Sequence, residues 1–467
     1  MEVATTPSKK SNLTLYIIIA LILGIGLGFT LNKSYLYEEN QALAKADSTI
    51  AIVKDRILHS SDSMTLVALQ SQKKSLNETR NETLARRDAK TDPFSLLADI
   101  FLRLIKMIVA PLVFTTLVVG VAKLGDIKAV GRIGGKTLLW FISASLMSLL
   151  LGMVLVNFLE PGIAMQLPVP DVNESSGIAK SALSLKEFLY HVFPSSVIDA
   201  MAKNEILQIV IFSLFFGVAT AAIGEQGKIV IKAMDAVAHV ILKVTGYVMY
   251  FAPVAVFGAM TAIIAKQGLG ILKTYSIFIG EFYFGLAILW LLLILAGYLV
   301  IGKRIVNMVK RIKEPILLAF STSSSEAAFP KTMEELQKFG CKDKIVSFVL
   351  PLGYSFNLDG SMMYMTFASL FIAQSYGMHL PLGTQLSMLL VLMLTSKGIA
   401  GVPRASLVVI AGTLATFNIP EAGLALLLGI DPLLDMGRSA TNVVGNSVAT
   451  VVVSKWENSL ENPGTSA

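Results

Sequence analysis

Cysteine is almost absent from this 467-residue chain, Cys341 being its single copy, so a disulfide framework and a cysteine metal cluster are both excluded. Histidine is nearly as scarce. The four copies, His59, His191, His239 and His379, form no H-x-x-x-H pair and offer no zinc site. Charged residues make up only 15% of the chain, too few for the surface of a soluble protein of this length. No lipidation pattern is present, and no small-residue cleavage site follows the first apolar run, which therefore reads as an anchor and not as a removed signal peptide. With these absences, the chemistry must rest on carboxylates, amides, hydroxyls and arginine.

What the chain has in abundance is apolar sequence: 54% hydrophobic residues and a mean hydropathy of +0.67. Runs at 13–32, 95–121, 137–158, 206–223, 246–264 and 275–301 approach the ~20 residues that a spanning helix needs. The fold class expected is an all-α polytopic membrane protein. The net charge of +7 reads as topology and not as a nucleic-acid signal. Basic clusters at 8–10, 123–136 and 302–313 fall on one side of such a bundle, and that side is expected to be the cytoplasm. Residues 1–12 and 456–467 are then cytoplasmic tails, 13–32 is the first span, and 93–313 holds spans two to six. Residues 33–92 form a mixed-charge insert expected to fold as one or two exposed helices, a solvated segment without chemistry. Its two N-E-T triplets, at 77–79 and 81–83, are weak glycosylation matches.

The segment 314–455 carries the informative polarity. "FSTSSSEAAFPK" (320–331) and "TSKGIAGVPR" (395–404) superpose at Ser323/Ser396, Ala327/Ala400, Pro330/Pro403 and Lys331/Arg404. An internal repeat with interrupted apolar segments points to the binding site of a secondary transporter. Backbone that leaves the helix at membrane depth must line a protein cavity, so both patches read as tips of re-entrant hairpins. "FNLDGS" (356–361) places Asn357, Asp359 and Gly360 inside an apolar stretch, where they unwind a helix and free oxygens for a cation. A plain kink with Asp359 satisfied internally is the simpler alternative.

"LLDMGRSATNVVGN" (433–446) completes the picture: with Asp431 just upstream, Asp431, Asp435, Arg438 and Asn442 are spaced by four, three and four and share one helix face. A charged stripe on a lipid-compatible helix costs roughly 2.5–3.5 kcal/mol per charge, so something polar must face it. Arg438 suits a carboxylate, Asp435 can receive an ammonium group, and Asp431 can orient Arg438. The alternative is a self-satisfied Asp–Arg pair that staples the bundle.

"STSSSEAAFP", "GYSFNLDGSMMY", "GIAGVPRAS" and "LLDMGRSATNVVGN" together resemble the dicarboxylate/amino acid:cation symporter family. The resemblance implies eight spanning helices plus two re-entrant hairpins, inverted repeats, a homotrimer in the bacterial inner membrane, and elevator-type transport. Spans one, two, four and five would form a scaffold, and spans three and six, both hairpins and the last two spans would move. It implies a substrate site built from Ser324, Ser325, Val402, Ser361, Asp431, Asp435, Arg438, Ser439 and Asn442. The family's dicarboxylate carriers lack an aspartate where Asp435 stands and its neutral amino acid members lack the arginine, so acidic amino acids, glutamate or aspartate, are the expected substrates. A C4-dicarboxylate carrier is the second reading, and an anion channel or a membrane enzyme are rivals from other classes.

The cation ligands implied by the resemblance are Gly353, Asn357, Asn442 and Asn446 at one site, Ser145, Asn357 and Asp359 at a second, and Ser355, Ser396 and Ile399 at a backbone-rich third. Sodium-driven members carry an aspartate where Asn446 stands, and a tyrosine and threonine where Phe141 and Ala144 stand. That departure points to protons in place of some or all of the sodium. Met365 replaces the family's animal-branch proton carrier, leaving Asp359, Glu326 or Asp435 for the role. Lys397 at the second tip stands where sodium-driven relatives are apolar, and reads as a snorkelling side chain or a substitute for a cation. No cofactor is implied beyond the coupling ion.

Overall fold

The computed structural model describes residues 13–60, 62–124, 127–165, 169, 192–268, 274–396 and 405–461. Among them the chain is helical with no strand element, and a lone bridge joins Cys341 to Leu460. Among the described residues four helices are long and apolar enough to cross a membrane, or five if Glu225–Met249 and Ala252–Lys266 together make one span. Two of the six apolar runs fold differently from a simple span. The run at 206–223 becomes a helix of 17 residues, Ile206–Ala222. The run at 246–264 is split by a break at Tyr250 and Phe251, because Pro253 at the next helix's first turn has no N–H to continue the ladder.

The chain divides into two compact units. The first comprises residues 1–101 and 251–273. It contains α1 (Leu13–Lys33), α2 (Tyr37–His59), the N-terminal part of α3 (Ser63–Leu124) and the helix Ala252–Gln267. Close approach of α1 to that last helix depends on two glycines a turn apart. A Cβ on Gly24 would sit 2.8 Å from the Phe257 carbonyl, and one on Gly28 would sit 2.8 Å from Thr261 O, the small-residue packing that membrane helices use. The insert is an antiparallel pair: Arg80 Nε lies 2.5 Å from Asp47 Oδ1 and Lys90 Nζ 2.5 Å from Glu39 Oε1, while Leu43, Ile50 and Val53 are buried. The hydrogen bond from Lys90 holds the Glu39 carboxyl below its usual range. The helix α3 then runs on through Pro93, so the second half of the insert and the second apolar run belong to one 62-residue helix.

Because α2 and α3 lie side by side, their chains at Asp47 and Arg80 are already close, and a short link can join them at small loop-closure cost. Replacing residues 44–83 by a flexible linker should leave uptake within about twofold of the parent chain. Loss of uptake in a variant that still reaches the membrane would give the insert a role in transport.

The second unit comprises residues 102–250 and 274–467. With the helix Ala252–Gln267 taken as α7, the helices of eight residues or more in this unit begin with α4 (Ile127–Leu159), α5 (Ile206–Ala222), α6 (Glu225–Met249) and α8 (Ser276–Ile301). They are followed by α9 (Arg304–Arg311), α10 (Lys313–Thr322), α11 (Ser325–Phe339), α12 (Asp343–Phe356) and α13 (Asp359–Ser375). The last are α14 (Leu382–Thr395), α15 (Ala405–Thr416) and α16 (Asp431–Trp456). Helices α10 and α11 are each too short to span, and they meet at Ser323, whose φ of 50° turns the chain back. This is the first expected hairpin tip. The second, between α14 and α15, lies outside the described residues, as do Lys397, Ile399 and Val402. α12 and α13 are two halves of one broken helix, separated at Asn357 (φ −123°, ψ 67°) and Leu358 (φ −98°, ψ 63°). α16 is buried along nearly its whole length and packs on α4, α8, α10, α11, α12 and α13. At its end Arg132 and Lys136 of α4 both grip the Glu457 carboxylate, which the Arg132 hydrogen bond holds below the usual range.

Candidate transport site

Four pieces of the second unit converge on α16: the tip of the first hairpin, the broken ends of α12 and α13, and one face of α4. The charged residues of "LLDMGRSATNVVGN" lie at the N-terminal end of α16, as the spacing requires. Arg438 is 1% exposed and is the largest of the fully buried side chains. Its Nη2 donates to Asp431 Oδ1 at 3.1 Å and lies 2.9 Å from Asp435 Oδ1. Its guanidinium carbon stands 4.1 Å from the centre of the Tyr364 ring, a cation–π contact. The Tyr364 hydroxyl donates to the same Asp431 oxygen at 3.1 Å. Nε and Nη1 of Arg438 have no hydrogen-bond partner among the described residues. A buried arginine with two free nitrogens is a strong anion receptor, because leaving those donors unmet is costly. Asp435 differs from Asp431: a third of its side chain is exposed, against 3% for Asp431.

Asn442, one turn further, accepts from the Gly360 N–H at 2.9 Å and donates to Ser361 Oγ at 3.3 Å. That contact needs Gly360, where a Cβ would meet the Arg438 carbonyl at 2.6 Å. Ser439 is buried on the same helix. The hairpin tip is tied to this end through Ser323 Oγ, which donates to the Pro432 carbonyl at 3.5 Å. Ser324 caps α11, accepting from the Ala327 N–H at 3.2 Å, and Ser325 opens that helix. The structure brings Asp431, Asp435, Arg438, Asn442 and Ser361 together, and sets Ser324 and Ser325 directly after the Ser323 that contacts Pro432, with the hydroxyl of Ser324 engaged as a cap.

A second polar cluster lies a further turn along α16. Asn357 Nδ2 donates to Asp359 Oδ2 at 2.9 Å and to Asn446 Oδ1 at 3.2 Å. Ser148 donates to Asp359 Oδ1 at 3.3 Å, and Ser145 to the Phe356 carbonyl at 3.4 Å. Asn357 Oδ1, Asn446 Nδ2 and Ser355 Oγ are buried without a partner among the described residues. Gly353 faces Asn446, whose Oδ1 would lie 2.4 Å from a Cβ at that position. Apart from one carboxylate, the donors are amide, hydroxyl and carbonyl oxygens, a set that accepts a hard monovalent cation or a proton. Ser396, 1% exposed, closes α14 and donates to the Met393 carbonyl at 3.1 Å. Phe141, Ala144 and Met365 are all buried and supply no oxygen.

Three residues at these clusters escaped the sequence reading. Tyr364 lies three residues after Ser361 and Ser148 three after Ser145, so the helical period alone placed each beside an expected ligand. Gly445 adjoins Asn446, and a Cβ there would stand 1.8 Å from Asp359 Oδ2. Among the described residues no group of three or more histidine, cysteine, aspartate or glutamate side chains forms a metal cluster.

Paired half-length helices, a broken helix and a buried arginine beside an oxygen-rich cluster are the features of a membrane transporter's core. The chain belongs to the sodium:dicarboxylate symporter family, whose model matches residues 13–456. This is a family of transporters and not of enzymes. Relatives include the C4-dicarboxylate transport protein of Laribacter hongkongensis, 43% identical, covering 78% of this chain and 84% of the relative. The C4-dicarboxylate transport protein of Bacillus subtilis is 40% identical, with 78% and 88% covered. The proton/sodium-glutamate symport protein of Geobacillus stearothermophilus is 41% identical, with 77% and 87% covered.

Proposed function

We propose that this chain imports a C4 dicarboxylic acid together with cations, and that Arg438 holds one of the substrate's carboxylates. The observation that carries the reading is the buried guanidinium with two unengaged nitrogens. The relatives' names weigh towards C4-dicarboxylates, the reading that sequence analysis placed second. Asp435 supports a second reading, because aspartate is itself a four-carbon dicarboxylic acid that differs from succinate by one ammonium group. A part-exposed carboxylate beside the arginine attracts that ammonium and repels a second substrate carboxylate. The paired hairpins and the resemblance support transport by an elevator motion in a homotrimer of the inner membrane. Proteoliposome uptake of labelled succinate and aspartate separates the readings. On the second, Asp435→Asn lowers aspartate uptake by roughly tenfold or more and spares succinate. Uptake of succinate with no uptake of aspartate by the parent chain overturns it.

For the coupling ion we infer that protons replace sodium wholly or in part. Asn446 offers an amide to the cluster, and Phe141 and Ala144 are buried where hydroxyl oxygens would complete a sodium shell. Sodium stripped of water favours full carboxylate charge among its ligands, whereas a proton needs one receptive carboxylate. Proteoliposomes with an acidic exterior and no sodium should accumulate substrate. Accumulation only on addition of sodium would show that the cluster tolerates Asn446 as a sodium ligand.

A further inference from the structure

We propose that Glu326, on the first hairpin, is the residue that binds the co-transported proton; this rests on the proton-coupled reading above. Four carboxylates stand near the site, and their surroundings differ. Asp431 and Asp435 are ion-paired with Arg438, and Asp359 accepts from Asn357 and Ser148. Such partners favour the charged carboxylate and oppose its protonation. Glu326 has no hydrogen bond or ion pair from a described residue. It opens instead into a cavity with walls of Val109 and Val113 from α3, Ile206 from α5, Phe329 from α11 and Pro351 from α12.

Among the described residues, two groups able to carry charge face Glu326 from the packed elements. Lys106 of α3 is the cation whose field reaches it, without a salt-bridge contact. Tyr354 of α12 lines the same cavity, its hydroxyl buried with no hydrogen-bond partner among the described residues and its ring edge-on to Phe329 at 5.1 Å. The side facing α5 is apolar. An apolar wall favours the neutral form of a carboxylic acid, while a distant cation keeps the ionised form accessible. A group held between those two influences binds a proton on one side of the membrane and releases it on the other. Its position explains the link to substrate: Glu326 follows Ser325 directly, three residues after the Ser323 that contacts the first turn of α16. The step is simple. The carboxylate takes one proton from the outer solution, the hairpin carries the neutral acid with the substrate, and the same O–H bond breaks to the inner solution.

The test is Glu326→Gln in proteoliposomes, with succinate and aspartate as probes. Exchange of internal for external substrate, which moves no net proton, should persist at a rate within about threefold and lose its pH dependence. Accumulation driven by an acidic exterior should fall by roughly tenfold or more, and substrate-dependent acidification of the lumen should vanish. Lumen acidification retained in Glu326→Gln overturns the assignment while leaving the proton-coupled reading intact. Failure of the parent chain itself to acidify the lumen removes both. Should Glu326→Gln lack exchange as well, Lys106→Met decides. Removing that cation should move the pH of half-maximal uptake upward by roughly half a unit or more; an unmoved midpoint overturns the proposal.

Discussion

Replacing Arg438 by glutamine should lower uptake of every dicarboxylic acid by roughly a hundredfold or more, because losing one member of a buried charge pair costs about 2–5 kcal/mol. Glutamine keeps a polar head in the space but offers neither the charge nor the fork of donors. The effect on folding should be smaller than the effect on transport. Asp431 keeps its hydrogen bond from the Tyr364 hydroxyl, and Asp435 is a third exposed and can hydrate. Lysine at the same position restores charge as a single point and should recover only part of the uptake. Thermal melting with and without substrate would read both consequences at once: the variant's own transition lowered, since Asp431 loses its buried counter-ion, and the substrate-induced shift gone. Uptake unchanged in Arg438→Gln would mean that the arginine is a structural staple and that the substrate carboxylate docks elsewhere.

Gly445→Ala is the second change of large expected effect. One methyl group placed there lies 1.8 Å from Asp359 Oδ2 and 2.9 Å from Asp359 Cγ, far inside contact distance. The carboxylate has nowhere simple to go, since Asn357 and Ser148 hold its two oxygens. The broken ends of α12 and α13 must part from α16, and the amide contact between Asn357 and Asn446 opens with them. Alanine is otherwise the better helix former by about 1 kcal/mol, so a loss here reports on the cluster and not on the helix. The half-saturating cation concentration should rise by roughly tenfold or more, as when an outer partner of a metal ligand is lost. Gly131→Ala on α4 is the control. A Cβ there meets nothing within 4 Å, and uptake should be unaltered. Equal behaviour of the two variants would remove Asp359 from the coupling chemistry.

Local spacing made part of this architecture readable in advance, and packing hid the rest. Asp431, Asp435 and Arg438 lie on one helix, so their adjacency follows from a period of 3.6 residues and needed no knowledge of any neighbour. The unwound segment at Asn357 follows from residues that favour turns standing beside a glycine. The turn at Ser323 was legible through the repeat, a second copy of a pattern that sits uneasily in hydrocarbon. Tyr364 and Ser148 could be placed beside an expected ligand by the helical period, but their own roles could not be read. Each matters through a partner 67 or 211 residues away, and no local pattern encodes which helix faces which. Gly445 is silent for the same reason, its importance lying wholly in the carboxylate opposite. The break at Tyr250 was visible in "FAPV" but masked by hydropathy, which averages over a proline. Glu326 was one candidate among three on residue type alone, and only its neighbours separate it from Asp359 and Asp435.

The two aspartates that hold Arg438 bear on the part of the cycle that carries no cargo. A symporter must reset after delivery, and its empty site must cross the same barrier that the loaded site crossed. An arginine stripped of its anion in an apolar interior would cost several kcal/mol, and such a carrier would reset only by taking an anion back out with it. Here the guanidinium keeps Asp431 and Asp435 as built-in counter-ions and Tyr364 as a cover. On the proposed function, the vacant arginine carries its counter-charge within the protein, with one carboxylate to spare, so the return journey needs no anionic passenger and import need not be tied to one-for-one swapping.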